Sequence, residues 1–366
     1  MNKNLRIIAF YLPQFHPIPE NDRWWGDGFT DWNNVKNAVP LFKGHEQPKV
    51  PTELGYYNLL ESDIFKKQVE LAKASGIEGF CYWHYWFGNG KRLLEKPFDA
   101  ILTSGEPDFP FCLGWANESW KAKVWGAKGK TDKVLIEQKY PGKSDIIGHF
   151  YICLSGFKDS RYIKIDEKPV FLIYKPIALS EQKEFIETWN ELAQKEGLKG
   201  IFFIGHTHQT NEIEPILSMG FDSVNIVRVG EWLHNKKFLY KNIYSLIRYK
   251  LFNKPYIITY KKIIELFTKP EDSQLNVYPT IIPNWDHTPR SGKRGYLYHG
   301  STPNLFKKHV EKVFESVKNK PLDKRVIFLK SWNEWGEGNY MEPDNKFGRG
   351  YIDALKDAVV NFNNDY

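Results

Sequence analysis

A chain of 366 residues with 42% hydrophobic and 26% charged residues carries enough apolar material for a large core. These proportions exclude a disordered, collagen-like or coiled-coil protein, and no apolar run approaches the roughly 18 to 20 residues of a membrane helix. The net charge of +7 is uneven: residues 236–269 hold nine Lys or Arg against one acid, Glu265. The remainder is close to neutral, so a global nucleic-acid binder is not implied.

The start, MNKNLRIIAFYLPQF, has a basic head, but its apolar run Ile7–Leu12 is short and meets Pro13. It reads as a buried strand and not as a signal peptide. Three cysteines, Cys81, Cys112 and Cys153, lack CxxC spacing and imply neither a disulfide framework nor a zinc ribbon. A reduced, cytoplasmic protein is expected. Aromatic residues reach 16%, with 13 tryptophans. Most such rings fill cores, and in a wet cleft they form platforms for sugars.

Continuous apolar runs predict strands at Arg6–Tyr11, Gly79–Tyr85, Phe111–Trp115, Val170–Tyr174, Gly200–Gly205, Ser223–Val227, Tyr278–Pro283 and Val326–Ser331. They lack polar alternation, as strands buried on both faces of a parallel sheet do. Helical periodicity fills the gaps at Ser62–Ser75, Lys91–Thr103, Ser144–Phe157, Ser180–Glu196, Asn211–Met219, Thr302–Asn319 and Tyr351–Phe362. Ser180 is the expected N-cap of the fourth of these, and Pro303 opens the sixth at a favoured first-turn position. Eight strands alternating with helices, without a linker, argue one α/β domain over residues 1–366, a (β/α)8 TIM barrel with long Trp-rich loops at its C-terminal face. A doubly wound sheet is the alternative, but no G-x-G-x-x-G follows the first strand. Residues 236–269 read as a basic helical insertion, an amphipathic helix lying on the barrel.

In such a barrel the site lies at the C-terminal ends of the strands. The first strand ends in Tyr11, Gln14 and His16, the second in Trp83, His84 and Tyr85, and the third in Trp115, Asn117 and Glu118. The seventh offers Asn284, Asp286 and His287; the eighth runs into Trp332, Asn333, Glu334, Trp335, Glu337 and Glu342. Polar and aromatic groups on one rim are expected to bind a sugar. His206 and His208 could share a strand face, but with no third ligand no metal is expected. No cofactor motif is present: no Walker P-loop, no G-x-S-x-G elbow and no D-x-D element.

Glu334 and Glu337 are the sharpest signal. They lie three apart around Trp335 and Gly336, with Gly338 following, and glycines let the chain fold back. Paired carboxyls are what glycosidic chemistry uses, so the two are expected to face one cleft on the order of 5 to 7 Å apart. An indole neighbour such as Trp335 or Trp332 would raise one pKa and keep that acid protonated.

The runs AFYLPQFHPIPENDRWWGDGFTDW, LFKGHEQPKVPTELGYY, GFCYWHYWFGNGKRLLEKP, PFCLGWANESW and SWNEWGEGNYMEPD resemble the WbsX-type family over about the whole chain. Its members are described as glycosyltransferases of lipopolysaccharide O-antigen biosynthesis. That family is similar in turn to glycoside hydrolase family 99, the endo-α-mannosidases, which are (β/α)8 barrels. The narrower family 99 likeness rests on the barrel and the Asn-Glu-Trp-x-Glu-Gly run. It implies Glu334 as the base on a sugar 2-hydroxyl and Glu337 as the acid and then base, with retention through a 1,2-anhydro sugar. Gly336 stands where family 99 usually has His, so the resemblance does not carry mannose specificity with it.

The expected function is therefore a glycosidic-bond enzyme of bacterial surface polysaccharide metabolism, a WbsX-type transferase with paired-glutamate chemistry. Its expected partner is an oligosaccharide or lipid-linked glycan. The alternatives are an endo-acting glycoside hydrolase proper and a non-catalytic glycan-binding barrel. The basic segment adds a further expectation, peripheral contact with the anionic inner membrane.

Overall fold

The computed structural model of the chain describes residues 4–122, 133–252 and 254–365. Its eight long parallel strands are β1 (Arg6–Tyr11), β2 (Gly79–Trp86), β3 (Phe111–Trp115), β4 (Lys168–Ile173), β5 (Phe202–Thr207), β6 (Ser223–Ile226), β7 (Val277–Ile281) and β8 (Val326–Leu329). They alternate with helices and close as a (β/α)8 barrel. The expected strands are all present, with shifted ends that have local causes. The expected start of the fifth at Gly200 fails because Gly200 turns at φ 110°, outside strand geometry. The fourth begins earlier, at Lys168, because Asp166 and Glu167, both at positive φ, turn Lys164–Ile165 back to pair with Lys168 and Pro169.

The chain packs as two compact units, one holding the described residues up to Phe80 and from Val227 on, the other Cys81 to Ile226. In the first, β8 lies between β1 and β7, with Ala9 opposite Leu329 and Ile281 opposite Leu329. The helix Ser62–Ser75 stops at Gly76, which takes φ 87°. The helix Pro303–Val317 starts with Thr302 capping the Leu305 N–H and Pro303 in the first turn. The insertion forms the helices Lys236–Lys241 and Ile243–Phe252, then a strand, Tyr256–Thr259, that periodicity did not reveal. No residue of Ile243–Phe252 is buried.

In the second unit β5 lies between β4 and β6, and β4 pairs with β3. The helix Gln182–Lys195 follows Glu181 and not the expected cap Ser180, and no side chain caps it. Its Trp189 is fully buried against Phe171 and Phe185, at ring separations of 4.6 and 4.5 Å. The three cysteines are buried free thiols. No helix among the described residues is long and apolar enough to cross a membrane.

Trp189 anchors this unit's aromatic core and its indole also donates to Ile146 O at 3.0 Å. Trp189→Ala should therefore cost about 3–5 kcal/mol of stability, read as a lowered denaturant midpoint.

Candidate active site

The chain leaving β8 is pinned on both sides. Lys330 N donates to Ile281 O at 3.0 Å and Trp332 N to Phe10 O at 2.8 Å. The Asn333 amide clamps the end of β1, accepting from Leu12 N at 2.8 Å and donating to Leu12 O at 3.0 Å. Asn333–Glu334 then pairs antiparallel with Asn339–Tyr340, and Trp335–Glu337 forms one 3₁₀ turn between them. Three residues per turn place positions i and i+3 on the same side, which brings Glu334 and Glu337 together. Gly338 closes the turn at φ 57°, where a Cβ would lie 2.7 Å from Asp286 Cβ.

Both carboxylates reach one guanidinium. Arg290 Nη1 donates to Glu337 Oε1 at 2.8 Å, and Nη2 lies 2.7 Å from Glu334 Oε1. The same Arg290 grips Asp31 with Nη2 at 2.6 Å and Nε at 3.2 Å. Glu334 Oε1 is close to the cation but off its hydrogen-bond directions, so this buried oxygen has no hydrogen bond. His287 Nε2 stands 3.6 Å from Glu337 Oε1. Asp31 follows β1, Arg290 follows β7 and the glutamates follow β8. Three adjacent strand ends build the site.

Burial pushes the Glu334 carboxyl up to about 7; Arg290 opposes the rise and the Glu337 charge adds to it. Burial would raise Glu337 as well, but Arg290, Lys330 and His287 outweigh it and hold that carboxyl down at about 2. Burial thus raises Glu334 while the cations around Glu337 hold it low, so Glu334 is the more readily protonated of the two.

Gly336 has a steric cause. A Cβ there would fall 2.2 Å from Asp31 Oδ2 and 2.8 Å from Arg290 Nε. The Asp31–Arg290 pair occupies the space that a side chain at this position would need.

A family model described as Glycosyltransferase WbsX matches residues 7–355. The chain belongs to the WbsX glycosyltransferase family. A relative, the uncharacterized protein WxcX of Xanthomonas campestris pv. campestris, is 31% identical over 358 residues, 97% of this chain and 49% of that protein. The WbsX-family chain thus spans about half the length of the curated relatives it matches. Among solved structures, a glycoside hydrolase-like protein superposes with TM-score 0.61 at 15% identity, covering 98% of this chain and 94% of that one. The family 99 endo-α-mannosidase of Bacteroides thetaiotaomicron superposes with TM-score 0.58 at 16% identity, covering 98% of each. Both share the fold.

Several residues read as sugar ligands have their polar atoms engaged within this WbsX-family chain. Glu342 is buried and accepts from Tyr57 at 2.9 Å, Gln68 at 2.6 Å and the Trp335 indole at 2.6 Å. Tyr11 donates to Gln68 at 2.7 Å and extends that network. Asp286 accepts from His45, Gln47 and both the hydroxyl and the N–H of Thr288. Its own N–H donates to Glu337 O at 2.7 Å, so it braces the turn. Trp332 and Trp335 are fully buried, with Trp335 stacked on Tyr340 at 3.7 Å. His16 is buried, and Gln14, Asn284 and His287 are half-buried. Asn284 and Asp286 line a polar cleft with His45, Lys49 and Lys346, and neither Glu334 nor Glu337 is among its walls.

In the second unit Trp83 is half-buried and meets Tyr174 and His206 edge-on, at 5.5 and 6.2 Å. Tyr85 is buried against Trp120, and Trp115 donates to Trp86 O and stacks on Phe185. Asn117 clamps the Lys175 backbone, and Glu118 pairs with Lys175 at the surface. His206 bonds Asn225 at 2.7 Å. The group with metal-ligand atoms is a different one: His84, His149 and Cys153, all buried and within 4.8 Å of one another. Spacing alone suggested no such group, because His149 and Cys153 sit one turn apart on the helix Lys143–Lys158 while His84 is on β2. The two histidines bond each other at 2.9 Å, and burial drives His84 down to about 3, so they stay neutral. Three ligands are one short of a closed structural zinc site.

Sequence reading missed Asp31 and Arg290. Both lie beside residues it singled out, Asp31 in the first Trp-rich loop and Arg290 three residues after His287, yet neither carries a spacing that announces its partner.

Two predictions follow from this geometry. Gly336→Ala should displace the Asp31–Arg290 pair and cost about 1–3 kcal/mol, checked by thermal unfolding. A carboxyl whose pKa folding raises holds its proton more tightly in the native state, so its contribution is lost as pH climbs from about 4.5 through about 7. Between pH 5 and 8 the wild-type chain should therefore lose stability relative to Glu334→Gln, read as diverging melting temperatures.

Proposed function

We propose that the chain is an enzyme acting at a glycosidic bond in bacterial surface polysaccharide (lipopolysaccharide O-antigen) metabolism, on an oligosaccharide or lipid-linked glycan, with Glu334 and Glu337 as the reacting pair. The observation that carries this reading is two carboxyls on one guanidinium, Glu334 raised by burial and Glu337 held low by the cations around it. Glycosidic cleavage requires that division of labour: one group donates a proton to the leaving oxygen and one supplies negative charge at the sugar. The WbsX family and the barrel shared with an endo-α-mannosidase support the sugar class.

In the retaining route that the resemblance implies, Glu334 takes the 2-hydroxyl proton and O2 closes on C1. The bond from C1 to the leaving oxygen breaks as Glu337 protonates that oxygen. Glu337 then draws a proton from an incoming hydroxyl that attacks C1, and the C1–O2 bond of the 1,2-anhydro ring breaks as Glu334 returns its proton to O2. Water as the incoming group gives hydrolysis, and a sugar hydroxyl gives transfer. The directions of the two shifts, Glu334 raised and Glu337 lowered, favour the opposite assignment, Glu334 as acid and Glu337 as base.

Incubation with O-antigen-like oligosaccharides and donor sugars, with product anomers followed by NMR, tests the activity. Glu334→Gln and Glu337→Gln should each lower turnover about 10²-fold or more with sugar binding retained. A glycosyl fluoride needs no proton on its leaving group and separates the roles. Under the first assignment Glu337→Gln keeps fluoride turnover; under the second Glu334→Gln does. Near wild-type turnover of both variants on the natural bond would place the chemistry elsewhere.

A further inference from the structure

The insertion between β6 and β7 concentrates apolar side chains in open solvent. Of the nineteen exposed large apolar side chains among the described residues, eight lie within residues 233–252, far more than an even spread would put there. Tyr240, Tyr244, Leu251 and Phe252 are 78%, 71%, 75% and 65% exposed. A helix turns about 100° per residue, so Ile243, Tyr244, Ile247 and Leu251 form one stripe along Ile243–Phe252, with Arg248 on one edge and Lys250 on the other. The opposite side holds the helix to the protein. Ser245 Oγ donates to Ile257 O at 2.8 Å, and Tyr249 packs on Tyr256 and donates to Arg294 O at 3.4 Å. The apolar stripe therefore faces outward.

The charge around it has one sign. Between residues 232 and 264 there are eight Lys or Arg and no acid. Lys236, Lys237, Lys250 and Lys254 have no ion-pair partner among the described residues. A second copy laid on this face would set one basic cluster against another. An anionic surface would meet both properties.

We infer that this face docks on an anionic lipid bilayer. The stripe Ile243, Tyr244, Ile247 and Leu251 enters the boundary between headgroups and acyl chains, and the flanking Lys and Arg engage lipid phosphates. The helix lies in the surface and does not span it. This binding is independent of the glutamate chemistry.

The test is sedimentation of the full chain with vesicles of mixed phosphatidylglycerol and phosphatidylcholine, against phosphatidylcholine alone. Salt is set at about 0.1 M and about 1 M, where the Debye length falls from about 10 Å to about 3 Å. The expected result is at least a tenfold preference for the anionic vesicles at low salt, most of it lost at high salt. Ile247→Glu/Leu251→Glu and Lys250→Glu/Lys254→Glu should each abolish most of the binding, with circular dichroism unchanged. No anionic preference by the wild-type chain, or a double-glutamate variant that binds as well as wild type, overturns the inference. Self-association lost in Ile247→Glu/Leu251→Glu, without vesicle binding, overturns it in favour of a second copy.

Discussion

Arg290 is the single positive group on which the rim is organised. It touches three acids, Asp31, Glu334 and Glu337, from the ends of three neighbouring strands. Carboxylates taken out of water need compensation, and one guanidinium cannot give full compensation to three. Its hydrogen bonds go to Asp31 and Glu337, and Glu334 is left near the cation without one. Lys330 and His287 add charge from a greater distance, enough to keep Glu337 ionised. The acid without a hydrogen bond is the one that burial raises. One side chain therefore fixes where the pair sits and sets its two members apart.

Neighbouring carboxyls confirm that partners, not burial alone, set ionisation. Glu342 is as buried as Glu334, and its donors are the neutral Tyr57, Gln68 and Trp335. Burial lifts it to about 7 despite those hydrogen bonds. Asp286 is also buried, but His45 together with the Thr288 donors pulls it below the usual carboxylate range. Glu342 ties Gln68 of the helix Ser62–Ser75 to Trp335 of the turn, and Asp286 supports the same turn through its backbone bond to Glu337. Both acids hold the Glu334–Glu337 turn in position.

The barrel was legible because its evidence is local: each strand is a short apolar run and each helix has its own periodicity. The glutamate pair was legible for the same reason, since three positions and two glycines contain it. What escaped is what depends on folding. Asp31 and Arg290 are 259 positions apart, and only the return of β8 between β1 and β7 brings them together. Gly336 appears in the sequence as a bare departure from family 99; the structure supplies its cause in the atoms of Asp31 and Arg290. Polar residues such as Asn333, Asn117 and Glu342 cannot be sorted by type into sugar ligands and internal clamps. That depends on whether the chain brings its own donors and acceptors to them, which it does here.

The turn that carries Arg290 is also held from behind. His287 N donates to Tyr296 O at 3.3 Å and Tyr298 N to Trp285 O at 2.8 Å, so the strand Tyr296–His299 backs this segment. That strand pairs in parallel with Tyr256–Thr259 of the insertion, and Ser245 fastens the helix Ile243–Phe252 to Ile257. A continuous series of contacts thus runs from the segment that carries Arg290, through two paired strands, to the helix with the outward apolar stripe. Strand pairing fixes position better than loops do, so this helix is held at a set offset from Arg290. The insertion costs the fold an exposed apolar face, and in the same unit it supplies the strand that braces the segment carrying Arg290.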